Sequence, residues 1–300
     1  MTADVTASSG TTVYYDSFVG LSVPISVSSA FSSMNIVGDE ISMGLNTSNI
    51  LSGNLYDVFA VNNAGTLALC AGPAWTTTTS RSTAVTKING IWLNGASMAH
   101  CYGGASGTTD YGTVGLEAGT YLGTFYDPVG TNGATAWVAN PAGGTSGGSY
   151  NCLCLSNAYN RVPVTSTELE GASTWTNTGV NGWRFAHANT NNSIRIVDGL
   201  QQQNVQYVNN NGTANSGASD WCEIGVGVST SLGISAVPTS YGYYLGNANS
   251  ASLGFGLTVS QTYYPKLGLT ILYGEEITNP AGSCTMQVGS TYALIATLSM

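Results

Sequence analysis

The stretch "LGLTILYG" (267–274) decides the fold class. Leu267, Leu269, Ile271 and Tyr273 recur every second residue, the period of a β-strand with one face toward a core. The same alternation extends to both sides. Leu253, Phe255, Leu257 and Val259 share a face in "LGFGLTVS", and Ile194 and Ile196 alternate with Ser193 and Arg195 in "NNSIRIVDG". "STYALIATLSM" reads as a last strand with Tyr292, Leu294, Ala296 and Leu298 in register. No apolar run follows the three-and-four spacing of a helix. Turn punctuation separates the strands: "NNAG" at 62–65, "TNGA" at 131–134, "NPAGG" at 140–144 and "NNNG" at 209–212. Strands divided by turns, with no helices between them, predict an all-β antiparallel sandwich or jelly-roll-like fold. It is read as one β-rich domain over 1–300, with the Gly-rich stretch 141–149 as the candidate boundary between two lobes.

Composition narrows the function. The 300 residues are 43% hydrophobic but only 7% charged, against about 25% in an average chain. The 17 Tyr and 6 Trp exclude a disordered polar chain. Net charge is −9, and the only cations are Arg81, Lys87, Arg161, Arg184, Arg195 and Lys266. Such a chain has no basic footprint for nucleic acid or an anionic membrane surface. No apolar run approaches the roughly 18 residues of a membrane-spanning helix. "MTADVTASSG" has neither the basic nor the apolar part of a signal peptide, so synthesis in the cytoplasm is expected. Few charges also leave few residues to guard sheet edges, which predicts shielding by self-assembly.

Candidates for chemistry are sparse. Of Cys70, Cys101, Cys152, Cys154, Cys222 and Cys284, only Cys152 and Cys154 are close in sequence. On an extended strand their Cα atoms would stand about 6.7 Å apart, near the upper limit for a disulfide. They read first as small buried hydrophobes, then as partners in cross-strand disulfides, and last as metal ligands. His100 sits beside Cys101 after "GASMA", a faint echo of a nucleophile elbow without its last glycine. His187 lies in "WRFAHANTNN". The carboxylate groups Asp39-Glu40, Glu168 with Glu170, and Glu275-Glu276 read as solvated turns rather than a glycosidase pair. "GGTSGG" at 143–148 lacks the Gly-Lys-Ser/Thr ending of a phosphate loop. No metal or cofactor is expected.

One group stands out. Arg161, Arg184 and Arg195 fall within 35 positions of one another, near Tyr159, Trp175 and Trp183. In a chain so poor in cations each guanidinium needs a specific partner, either an internal carboxylate or a neighbouring subunit.

"LYDVFAVNNAGTLALCAGPAWTTTTSRSTA" (55–84), "GTYLGTFY" (119–126), "LSNAYNRVPV" (155–164) and "WTNTGVNGWRFAHANTNNSIRIVDGL" (175–200) occur in that order. As a set they resemble a structural-protein domain of tailed bacteriophages, of the tail-fibre, head-fibre or decoration type. Tyr56, Asp57, Val58 and Phe59, Trp75, Tyr121 to Thr124, Asn157 to Val162, Trp175, and Trp183-Arg184 carry the likeness, which spans roughly 15–290. It implies a non-enzymatic virion protein with Arg161 and Arg184 as framework residues. The expected partners are further copies of the chain, with a trimer favoured, capsid or tail proteins of the same particle, and the host cell surface. Two other functions stay open: a receptor-binding module for a host glycan or protein, and a polysaccharide-degrading or Cys-dependent hydrolase.

Overall fold

Tight hairpins set the register of the first sheet. Leu55–Asn63 and Thr66–Ala74 are joined at Ala64 and Gly65, with φ of 49° and 92°. Asn89 and Gly90, with φ of 49° and 89°, join Val85–Ile88 to Ile91–Asn94. Positive φ at both turn residues gives the twist that antiparallel partners need. Asn62 helps the first turn by accepting the Gly65 N–H on Oδ1 at 2.7 Å.

The computed structural model describes residues 2–3, 10–16, 22–27, 30–36, 38, 40–128, 130, 132–138, 150–159, 161, 163–169, 174–178, 182–201, 206–216, 221–232, 240–245, 255–278, 282–287 and 293–299. The Gly-rich stretch 141–149, the turn expected at 140–144, and Asp39, Glu170, Leu253 and Tyr292 lie outside them. The regular secondary structure of the described residues is strand, without an α-helix, apart from one short 3₁₀ turn over Ala186–Ala188.

The sheets stack in layers. An eight-stranded antiparallel sheet runs in the order Thr109–Asp110, Tyr102–Gly103, Thr66–Ala74, Leu55–Asn63, Thr120–Tyr126, Ile91–Asn94, Val85–Ile88, and Leu155–Asn157 also pairs with Thr120–Tyr126. On one face it packs against the strands Thr12–Tyr15 and Ile41–Gly44 and the hairpin Ser22–Val27 with Ala30–Asn35. Val13, Ile25, Met43, Val58, Leu69 and Phe125 fill that core. A second sandwich pairs a seven-stranded sheet with a six-stranded one. The seven-stranded sheet is centred on Ser193–Asp198, Gly268–Thr278 and Trp221–Ser229. The six-stranded sheet is built around Gln206–Ser216, with Phe255–Tyr263 on one side and Ala293–Ser299 and Ser283–Gln287 on the other. Ile194, Ile224, Leu257, Leu272, Met286 and Leu294 meet between them.

The expected one-faced alternation holds at the outer sheet, where Leu257 and Val259 are buried and Gly256, Thr258 and Ser260 are exposed. It does not hold at the seven-stranded sheet. Ser193–Asp198 is buried at every position and Gly268–Thr278 at all but one, because that sheet is a middle layer. Its far face packs Cys152, Val197, Leu269, Ile271 and Tyr273 against Leu55, Trp75 and Tyr126 of the eight-stranded sheet. One pair departs from antiparallel geometry: Asn151–Leu153 runs parallel to Ser193–Asp198. The turn expected at 209–212 is also corrected. Asn209 to Gly212 lie inside the strand Gln206–Ser216, where partners on both sides override the local turn preference of Asn-Gly.

The cysteines correct the first reading of them as free core residues. All six are paired: Cys70 with Cys101, Cys152 with Cys154, and Cys222 with Cys284. The chain leaves the seven-stranded sheet after Leu153 and joins the eight-stranded sheet at Leu155. At this crossing it is bent, which brings the Cys152 and Cys154 Cα atoms to 5.0 Å. Cys222–Cys284 ties the two sheets of the second sandwich across its core and closes a 62-residue separation. In the chain-entropy treatment a loop of that length contributes about 4 kcal/mol. Guanidinium unfolding of a Cys222→Ala/Cys284→Ala variant is expected to show a stability loss of that order. An unchanged midpoint would show that the crosslink adds nothing.

Candidate functional site

One buried carboxylate stands where the sequence reading sought no charge. Asp57 interrupts the apolar run 55–61 of the strand Leu55–Asn63 and is buried. Its partner is Arg81, the first cation of the chain. Arg81 Nε donates to Asp57 Oδ2 at 2.8 Å and Nη2 donates to Oδ1 at 3.3 Å. Nη2 also reaches the Tyr121 hydroxyl at 3.3 Å, Thr124 Oγ1 at 3.4 Å and the Gly199 carbonyl. The guanidinium lies 4.4 Å from the Trp75 ring centroid. Thr124 Oγ1 donates to Asp57 Oδ1 at 2.6 Å. Burial pushes the Asp57 carboxyl up, and Arg81, Thr124 and Trp75 pull it back. Burial lowers Arg81 while Asp57 and Tyr121 raise it, with a net upward shift. Two strands of the eight-stranded sheet, the segment after Thr66–Ala74 and the end of Ser193–Asp198 therefore meet at one cation. A lone carboxylate in an apolar strand was the signal that could have found it, since such a group needs a buried cation.

The same segment docks on the seven-stranded sheet through its backbone. Leu269 N–H donates to the Thr78 carbonyl at 2.8 Å, and Thr78 Oγ1 donates to the Thr230 carbonyl at 2.9 Å. Gly268 has φ of 92°, and a Cβ there would collide with the Thr78 carbonyl, so glycine is needed on both counts.

The arginine and aromatic group read from the sequence does not converge. Trp175 and Arg184 do meet, around Glu276. Arg184 Nε and Nη2 lie 2.8 and 2.7 Å from Glu276 Oε1, and Trp175 Nε1 donates to Oε2 at 2.8 Å. His187 stacks on Trp175 with centroids 4.8 Å apart, on backbone with φ of 55°. Burial pushes the Glu276 carboxyl up, and Arg184 and Trp175 oppose it. Arg195 points to the other face of the same sheet, over the Tyr150 ring at 3.3 Å. Burial lowers its pKa. Burial pushes the Asp198 carboxyl up, and Arg161 is among the groups that oppose it. Tyr159 is largely exposed, and its hydroxyl accepts the Trp92 N–H at 3.0 Å. Trp183 is partly buried.

One more expectation is corrected. Glu168, Glu275 and Glu276 are not solvated turn residues: each lies in a strand and is fully buried. Cys101 cannot serve His100 as a nucleophile, because its sulfur is bonded to Cys70. His100 instead pairs with exposed Asp110 at 2.6 Å, and this hydrogen bond holds the Asp110 carboxyl below its usual range. A cleft of about 160 Å³ lies nearby, lined by Ile25, Asn62, Tyr111, Val114 and Ala118 among others. No group of three or more metal-ligating side chains is found among the described residues.

No protein-family model and no curated protein matches the sequence. Among solved structures, a chain of "Structure of infectious bursal disease virus Gx strain" is similar at 11% identity and a TM-score of 0.30, covering 97% of this chain and 74% of that one. A likeness this loose establishes neither a shared fold nor a shared role.

Two measurements test these sites. Arg81→Met strands the Asp57 carboxylate and is expected to cost about 3–5 kcal/mol, with part recovered in the Asp57→Asn/Arg81→Met double variant. With Asp57→Asn measured alone, a double-variant loss equal to the sum of the two single losses would mean that the pair is not coupled. The second concerns Asp127, which is buried where Thr120–Tyr126 ends. Gly133 N–H donates to its Oδ2 at 2.9 Å, while Oδ1 has no hydrogen-bond partner among the described residues. Burial pushes this carboxyl up to about 7. The folded protein then binds a proton between roughly pH 4 and 7 that the unfolded chain has lost, so stability falls as pH rises through that window. Asp127→Asn keeps an acceptor for Gly133 without the charge. Thermal melts from pH 5 to 8 are expected to slope downward less in the variant than in the parent, and identical slopes would refute the assignment.

Proposed function

We propose that the protein is a non-enzymatic structural component of a virion, and specifically a tailed-phage head decoration or fibre component that works as a homotrimer. The observation that carries this reading is where the motif residues gather. Asp57, Trp75, Tyr121 and Thr124 surround Arg81. Trp175 and Arg184 close on Glu276. The residues that make the chain resemble phage structural proteins are thus the residues that crosslink its layers. All six cysteines are bonded in pairs, so a thiol-dependent hydrolase has no nucleophile here. The charge-poor composition suits a chain that buries surface on assembly, because few ions need desolvation.

The test has two parts. Light scattering of the purified chain at micromolar concentration is expected to give a trimer mass. Gold-labelled antibody on intact particles is expected to decorate a regular exterior position. A natively folded monomer together with unlabelled particles would overturn the reading.

A further inference from the structure

The outer six-stranded sheet is almost without charge. Its strands Pro163–Leu169, Trp175–Thr178, Gln206–Ser216, Phe255–Tyr263, Ser283–Gln287 and Ala293–Ser299 contain one ionisable acid or base other than tyrosine, Glu168. That residue points inward and is fully buried. The solvent side carries hydroxyls instead. Thr165 and Thr297 sit side by side at 3.2 Å on neighbouring strands, as do Thr176 and Thr285 at 3.1 Å, and Thr258 and Ser260 are exposed on the far flank. Exposed acids lie elsewhere: among the described residues Asp16, Glu40 and Asp110 are on the first sandwich or its loops, while half-buried Glu117 is on the same sandwich and half-buried Glu223 is on the seven-stranded sheet.

We infer that this hydroxyl-lined sheet face is where copies of the chain meet. The inference rests on the oligomeric reading above and assigns it a surface. With a net charge of −9, copies repel through any approach that brings the acidic first sandwiches within a Debye length of about 8 Å. The outer sheet is a face that a copy can present to its neighbours without like-charge opposition or ion desolvation. Its size is adequate. Four strand positions at about 4.8 Å spacing, spanning the roughly 36 Å of the 11-residue central strand, give roughly 700 Å², close to the ~800 Å² per partner of a stable interface. Threonine hydroxyls supply donors and acceptors that polar groups of a neighbouring copy can satisfy.

The experiment uses the full chain with Thr165→Lys and Thr258→Lys together, both on exposed positions of that face. The substitutions reduce the net negative charge, so loss of assembly cannot come from greater overall repulsion. The expected result is a fall from the parent's oligomer mass to monomer mass in light scattering, with an unchanged circular dichroism spectrum. A Thr66→Lys control on the first sandwich, also exposed, is expected to keep the parent's mass. If the parent is an oligomer and the double variant stays one, the face assignment is wrong while the oligomeric reading stands. A monomeric parent sinks both. If the double variant instead loses binding to a host-surface glycan array with its mass unchanged, the occupant is a saccharide and the inference falls.

Discussion

The contact between Arg81 and Asp57 organises the rest. A carboxylate inside an apolar strand is tolerable only if a cation reaches it, and the only cation in the first 86 residues does so. To arrive there the chain must cross from Thr66–Ala74 toward the seven-stranded sheet, laying Trp75 on the guanidinium and Thr78 against Leu269. The route by which one sandwich grips the other is thus set by the need to neutralise one buried acid. Buried ion pairs add little net stability compared with apolar packing, yet they penalise every arrangement that separates them. Here the penalised alternatives are other dockings of the two sandwiches.

Glu276 repeats the same logic within the second sandwich. Its two oxygens are shared between Arg184 and the Trp175 indole, so one strand near the middle of the seven-stranded sheet is tied to an edge strand of the outer sheet. The outcome is a second sandwich that keeps Glu168, Glu275 and Glu276 inside and turns an uncharged sheet face outward.

Strand content was legible because alternation at Leu257 and Val259, or at Leu294, Ala296 and Leu298, is a local property of sequence. The layering was not. Alternating Leu269, Ile271 and Tyr273 suggest a single buried face, and only the arrival of Trp75 and Tyr126 from far along the chain buries both. Glu275 and Glu276 looked solvated because two adjacent acids beside a glycine usually are, and the partners that let them sit inside are 92 and 101 residues away. The arginine group misled for a related reason. Nearness in sequence does not decide which face of a sheet a residue takes, and Arg195 and Glu276, on neighbouring strands, project from opposite sides. Disulfides were the second choice for Cys152 and Cys154 because an extended strand keeps them apart; the chain bends there as it changes sheets.

The pairing of Gln206–Ser216 has a consequence for biogenesis. This strand is the spine of the outer sheet, yet its neighbours are residues 255–263, 283–287 and 293–299. A ribosome that has emitted the spine must add some eighty more residues before its hydrogen bonds are complete. Until then an uncharged, half-formed ribbon is available to any other nascent chain on the same message, and non-local strand pairing is slow. The spine therefore waits half paired on the ribosome until residues 293–299 have been made.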